Sequence, residues 1–194
     1  QGLRDATEKT YPLLFPEFCP AQIITRDSDE IMDFLQRNGG QGVAKPLNLM
    51  GGKGIFLLNS KDPNISPILA MSTRNGAERI MVQEFIPEAT EGDKRILTMD
   101  GEILGGFLRR PKPGDFRGNI SVGATVEPCA LTDRDHEILH RITPELMSRA
   151  QRFIGIDIVG NYLTEINVTS PMGLRELDDI YGGKSAEPIV KALS

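Results

Sequence analysis

Apolar residues recur along this chain in short bursts separated by glycine and proline, and the spacing within each burst predicts its element. Asp27-Ser28-Asp29-Glu30 reads as a helix start, followed by Ile31, Phe34 and Leu35 at helical spacing and a Gly39-Gly40 stop. Residues 42–46 and 55–58 are apolar runs of strand length, the first ended by Pro46. Between them lies Asn48-Leu49-Met50-Gly51-Gly52-Lys53-Gly54, so the order is strand, glycine loop, strand: a flap, and not the strand, loop, helix order of a P-loop. Residues 63–73 predict a helix, and 80–87 a strand closed by Pro87. Residues 93–99 and 102–109 predict a hairpin turning at Asp100-Gly101. Residues 110–123, rich in Gly, Pro and charge, predict a loop long enough to serve as a mobile lid. Thr132-Asp133-Arg134-Asp135 begins a helix expected to run to about Phe153 and to be disturbed at Pro144. A tight turn at Gly160-Asn161 then joins a strand carrying Asp157 to one carrying Glu165 and Asn167. No internal repeat and no low-complexity tract appears.

Bulk properties narrow the classes. The 194 residues carry a net charge of −5, which argues against a nucleic-acid surface, and suffice for one sizeable domain or two small lobes. No apolar run approaches the ~20 residues of a membrane span, and no secretory signal opens the chain. Cys19 and Cys129 are the only cysteines, which fits a reduced, cytoplasmic setting. Sequons at Asn64, Asn119 and Asn167 read as chance matches. The start at Gln1 reads like the middle of a longer protein.

The chemistry concentrates late in the chain. Glu165 and Asn167, two apart, face one side of a strand, and a hairpin at Gly160-Asn161 brings Asp157 onto that face. Hard oxygen ligands open to phosphates suit Mg²⁺; a plain surface strand is the competing account. Gly51, Gly52 and Gly54 let backbone N–H groups approach phosphates, with Lys45 on the preceding strand as a point charge. An ordinary glycine hairpin with a surface lysine would look the same. Gln83-Glu84-Phe85-Ile86 ends a strand where backbone groups can read an adenine edge, or is a plain edge strand. Arg95 and Arg109 lie on the two arms of the predicted hairpin and could neutralise phosphoryl charge, or form a solvated face. His136-Glu137-Ile138-Leu139-His140 matches a zinc-protease pattern, but the chain has only these two histidines, and a pair of exposed residues on an amphipathic helix is the better account.

Lys9, Val43-Ala44-Lys45-Pro46, Met50-Gly51-Gly52, Gln83-Glu84-Phe85-Ile86, Gly92-Asp93-Lys94-Arg95, Arg109, Arg117-Gly118-Asn119, Gly155-Ile156-Asp157 and Thr164-Glu165-Ile166-Asn167-Val168-Thr169-Ser170-Pro171 together resemble the ATP-grasp region of the bacterial glutathione synthetases. The resemblance implies an α/β (α+β) ATP-grasp fold, two lobes whose antiparallel sheets grip the nucleotide. It implies a linker at 1–8 from a further upstream domain, a first lobe over 9–86 with the flap, and a second lobe over 87–194 with the lid and the metal site. By the same resemblance Lys9, Lys45, Gly51 and Gly52 would meet the nucleotide phosphates. Gln83, Glu84, Phe85 and Ile86 would surround adenine, and Asp93 would approach the ribose. Arg95 and Arg109 would stabilise the transferring phosphoryl group, Arg117 and Asn119 on the lid would touch substrate, and Asp157, Glu165 and Asn167 would hold Mg²⁺ or Mn²⁺. The implied reaction joins γ-glutamylcysteine to glycine at the expense of ATP, through an acyl phosphate, in a homo-oligomeric full-length enzyme. Another carboxylate–amine ligase, or a nucleotide-binding module without catalysis, are the alternatives. Two departures stand out: Asn48-Leu49 where the family pattern has Asp-Gly, and Gly123-Ala124 where it has Gly-Gly.

Overall fold

A computed structural model describes residues 7–193, so residues 1–6 of the expected linker lie outside the described residues. The chain divides into two compact units, one formed by residues 20–87 and one by residues 7–19 together with 88–193.

In the 20–87 unit, four antiparallel strands run in the order β1-β4-β2-β3: β1 Gln22–Thr25, β2 Gln41–Pro46, β3 Phe56–Asn59 and β4 Ile80–Glu84. Two helices, α1 (Ser28–Arg37) and α2 (Ile65–Ser72), complete it. Asp27 caps α1 by accepting from the N–H groups of Asp29 and Glu30, with Oδ1 distances of 2.8 and 3.2 Å. The expected periodicity holds, and Ile31, Phe34 and Leu35 are buried against Ala44, Leu58, Ile80 and Val82 of the sheet. Gly42 is needed for this packing, because a Cβ there would come 2.7 Å from Leu35 Cδ2 and 3.0 Å from Gln83 O.

The second unit is built on five antiparallel strands in the order β7-β6-β5-β8-β9: β5 Asp93–Met99, β6 Glu102–Arg110, β7 Thr125–Pro128, β8 Phe153–Val159 and β9 Tyr162–Asn167. Both expected hairpins are present, turning at Asp100-Gly101 and Gly160-Asn161. Helix α3 (Asp133–Ser148) begins with a reciprocal capping box between Thr132 and Asp135 and packs Ile138, Leu139, Ile142 and Leu146 into the core with Ile96, Ile154, Ile156 and Ile158. Pro144 sits inside it, and the helix ends at Ser148 rather than near Phe153, which opens β8 instead. Two short helices that the sequence reading did not anticipate follow: α4 (Leu174–Tyr181) and α5 (Ala186–Leu193). Leu177 of α4 packs on Leu97 and Phe107, and Tyr181 Oη donates to Gly106 O at 2.9 Å. The 110–123 segment contains only a single 3₁₀ turn, Ile120–Val122.

The assignment of residues 9–19 needs correction. Expected in the first lobe, they belong with residues 88–193. The arm carries Tyr11, Phe15 and Phe18 into the α3–sheet core, and Glu8 O accepts from Ile166 N at 3.1 Å beside β9. Two arginines of α3 and the arginine that caps its C-terminus lie over these rings: Arg134 over Phe18 at 4.7 Å, Arg141 over Phe15 at 5.6 Å and Arg149 over Tyr11 at 5.8 Å. Ring number falls as helix number rises, so the arm runs antiparallel to α3. Each such contact is worth about 0.5–1 kcal/mol at a wet surface, which adds to the burial of the rings.

Candidate functional site

In the 20–87 unit, the polar groups picked out by the sequence converge across three strands. Lys45 Nζ donates to Gln83 Oε1 at 2.7 Å, and Gln83 Nε2 donates to Gln22 Oε1 at 2.9 Å. Lys45 and Gln83 are both buried. Phe85 is half-buried and Ile86 buried. Glu84 N–H is committed to Ala21 O at 2.8 Å, so its carbonyl is the backbone group left for a base edge. The flap glycines Gly51, Gly52 and Gly54 all adopt positive φ, between 66° and 74°, which few other residues tolerate.

The other unit holds a chain of alternating charges. Asp157 lies directly across from Arg95 on β5 and from Glu165 on β9. Arg95 grips Asp157 with Nε and Nη2, the latter at 2.9 Å from Oδ2, and donates Nη1 to Met172 O at 3.0 Å. Arg109 Nη2 reaches Asp157 Oδ2 at 2.9 Å and also pairs with Asp93 Oδ2, while its Nε donates to Asp93 Oδ1 at 3.0 Å. The order is therefore Asp93–Arg109–Asp157–Arg95. Arg95, Arg109 and Asp157 are all buried, at 7, 5 and 3 % exposure. Burial alone would push the Asp157 carboxyl up, but the charges of Arg109 and Arg95 outweigh it and hold it well below the usual carboxylate range. Burial likewise opposes the Arg109 charge, and Asp157 and Asp93 overcome it. Arg109 Nη1 makes no hydrogen bond among the described residues and remains available to an anion.

Glu165 and Asn167 share the face of Asp157. A bulge helps: the pairing passes from Asp157↔Glu165 to Ile158↔Leu163, leaving Thr164 as the extra residue, and its Oγ1 donates to Asp157 O at 3.1 Å. Asn167, also buried, turns Nδ2 toward Gly155 O at 3.3 Å, and its Oδ1 accepts no hydrogen bond among the described residues. A hard divalent cation fits this donor set, with one qualification. Three guanidinium donors already occupy the Asp157 carboxylate, so Glu165 and the Asn167 oxygen are the open ligands and Asp157 can add only a remaining lone pair.

Sequence reasoning missed Glu8. Its carboxyl is pushed up by burial and then by the neighbouring charges of Glu165 and Asp157, only partly offset by Lys9 and Arg95. A cation would relieve that crowding. The only local hint is its adjacency to Lys9, which is itself buried in the arm. On the 110–123 segment, Arg117 is held by Asp115 through Nη2 at 2.7 Å and Nε at 3.0 Å, and Asn119 begins the 3₁₀ turn. His136 and His140 are exposed on α3 and line a cavity of about 280 Å³ with Gly101, Ile103, Leu139, Thr143 and Pro144. No group of three or more His, Cys, Asp or Glu side chains poised to hold a metal occurs among the described residues, which leaves the two histidines without the third ligand that a zinc centre requires.

Residues 8–182 match the family model described as prokaryotic glutathione synthetase, ATP-grasp domain. The glutathione synthetase of Synechocystis sp. is 43 % identical over 190 residues, covering 98 % of this chain and 59 % of that protein. That of Xanthomonas campestris is 46 % identical over 183 residues, covering 94 % and 58 %. The chain thus spans a little under three fifths of the length of these curated relatives. Among solved structures, D-cycloserine synthetase DcsG superposes with a TM-score of 0.77 at 14 % identity, over 99 % of this chain and 72 % of that one. ATP-grasp ligase PsnB complexed with minimal precursor gives 0.72 at 20 % identity, over 99 % and 61 %. At such low identity these two speak to the fold alone, which is ATP-grasp. With two antiparallel sheets and a family match over residues 8–182, the chain belongs to the ATP-grasp domain family of the prokaryotic glutathione synthetases.

Proposed function

We propose that this chain is the nucleotide- and cation-handling portion of a cytoplasmic, oligomeric ligase that joins γ-glutamylcysteine to glycine and releases ADP and phosphate. The relatives named glutathione synthetase support the substrates. The observation that carries the chemistry is the buried Asp93–Arg109–Asp157–Arg95 chain, which leaves Arg109 Nη1 unengaged, with Asp157 directly across from Glu165. Two carboxylates fix the Arg109 plane, so a guanidinium edge is already oriented toward developing phosphoryl charge and needs no rearrangement.

In the first step, the cysteine carboxylate of γ-glutamylcysteine attacks the γ-phosphorus, the bond to ADP breaks, and an acyl phosphate forms. Glycine's amine then attacks the acyl carbon, inorganic phosphate leaves, and the amine sheds a proton. Arg109 and Arg95 carry the electrostatics, while Lys45, Gly51, Gly52 and Lys9 take the nucleotide phosphates. Gln83, the Glu84 carbonyl, Phe85 and Ile86 take the base. Arg117 and Asn119 cover the substrate, where excluding water protects the acyl phosphate from hydrolysis. Mg²⁺ or Mn²⁺ held by Glu165, Asn167 and the remaining lone pair of Asp157 would neutralise phosphate charge when bound.

The deciding experiment is ADP release by the full-length protein with ATP, γ-glutamylcysteine and glycine, each omitted in turn. Release that requires both substrates supports the reading. Release with a different amine or carboxylate in preference to these, or none at all, rejects it.

A further inference from the structure

The Asp93 carboxylate is spent on Arg109. Oδ1 accepts from Nε at 3.0 Å and Oδ2 pairs with Nη2, a bidentate fork in which the Asp93 side chain is 15 % exposed and that of Arg109 6 %. The 110–123 segment passes directly over this fork. A Cβ at Gly118 would overlap Asp93 Oδ1 outright and come 3.2 Å from Arg109 O. Gly118 has no positive φ to explain a glycine there, so the close approach is the reason for it. Gly92, which has a positive φ of 130°, is also confined, its Cβ position 2.6 Å from Arg109 O and 3.0 Å from Leu108 Cδ1. Arg117, the residue before Gly118, is tied to Asp115 and thereby stiffens the approach to the fork. Asp115 is held well below the usual carboxylate range, first by its hydrogen bond from Arg117, so this tie persists in mild acid.

We infer that Asp93 is a positioning residue for Arg109, and that Gly118 docks the loop onto the Asp93–Arg109 pair so that loop position and guanidinium orientation are set together. Asp157 fixes Nη2 and Asp93 fixes Nε and Nη2, which leaves Nη1 as the unengaged nitrogen. Lifting the loop uncovers the carboxylate, and losing the carboxylate frees the loop. A ribose contact by Asp93 would require it to release Arg109.

Two arms of one experiment test this. Tryptic cleavage of the Arg117–Gly118 bond is followed by mass spectrometry in the 194-residue chain, for wild type, Asp93→Asn, Gly118→Ala and the double variant. This arm needs no assumption about the reaction. Either single variant should speed cleavage at that bond severalfold or more, since cleavage tracks the population of the open loop. The double variant should be no faster than the faster single one, because one contact is being broken. Gly118→Ala retains both charged side chains, so it still reports if Asp93→Asn destabilises the fold. The second arm rests on the ligase reading and uses the full-length enzyme. Asp93→Asn and Gly118→Ala should lower kcat about tenfold or more with KM for ATP unchanged. Unchanged cleavage in both single variants overturns the inference, as does a raised KM for ATP with kcat preserved, the signature of a ribose contact. Enhanced cleavage in variants of an enzyme whose wild type makes no ADP from these substrates would sink the ligase reading and leave the docking intact.

Discussion

Replacing Asp157 by Asn removes the one negative charge between two buried guanidinium groups. Arg109 would keep Asp93 as its counter-charge, but Arg95 would keep only neutral acceptors, the Met172 carbonyl and the amide oxygen at position 157. Breaking a buried pair by deleting one partner costs about 3–5 kcal/mol, because the other charge stays buried without compensation. At about 2–4 °C per kcal/mol for a protein of this size, Tm should fall by roughly 6–20 °C. The pH dependence carries a second signature. The folded carboxyl titrates well below its unfolded value of about 3.9, so its contribution is fully present above pH ~4 and is lost as pH falls through the folded pKa. The stability gap between wild type and Asp157→Asn should therefore hold constant from neutral pH to about pH 4 and narrow only below it. Urea unfolding at a series of pH values measures this directly. A loss under about 1 kcal/mol at pH 7, or a gap that closes near pH 6, would refute the reasoning and mean that solvent screens the network. The same numbers make Asp157 a poor probe of cation binding, since its removal disturbs the fold.

Glu165→Gln is the better probe of the cation: Glu165 makes no ion pair among the described residues, so the variant should keep the wild-type Tm without metal and lose most of the Mg²⁺-dependent Tm rise with ADP, read by thermal shift. Glu8→Gln should raise metal-free stability at neutral pH, by under about 1 kcal/mol because the position is only half-buried and solvent still screens it. The raised folded pKa makes the ionised Glu8 a cost at neutral pH that fades as pH falls through it, so the gain should fade in acid; a loss of stability at pH 7 would contradict the crowding. Tyr181→Phe removes the hydroxyl that donates to Gly106 O and should cost about 1 kcal/mol, or 2–4 °C in Tm, with no change in nucleotide binding.

What was legible in the sequence was local. The Asp27 cap, the glycine flap and both hairpins follow from short-range pattern, and all formed as expected. β1 and β7, four residues each, were missed, whereas the equally short β3 was read because the glycine loop marks its start. The α4 and α5 segments are eight residues each, barely two turns. Shared placement of Asp157 and Glu165 was legible because a turn of two residues joins their strands. The coupling of Asp157 to Arg95 was not, since 62 residues separate them and only strand pairing brings them together. The allegiance of the 7–19 arm was hidden for the same reason: no feature of Tyr11, Phe15 or Phe18 says which core will accept them.

That arm has a consequence for the order in which the protein can be made. It is translated ahead of the 20–87 unit, yet α3, which receives its rings, and Ile166, which bonds Glu8, are translated after that unit. The 20–87 unit has no such wait: its ends are adjacent, with Gln22 paired to Gln83, and every strand partner lies within it. Unit 20–87 can therefore close during synthesis while three aromatic residues ahead of it stay exposed, and closing the remaining contacts means bringing together the most distant parts of the chain, the slow kind of step. Refolding should show a fast phase from residues 20–87 and a slower one in which the arm is captured, the interval in which this chain is most prone to aggregate.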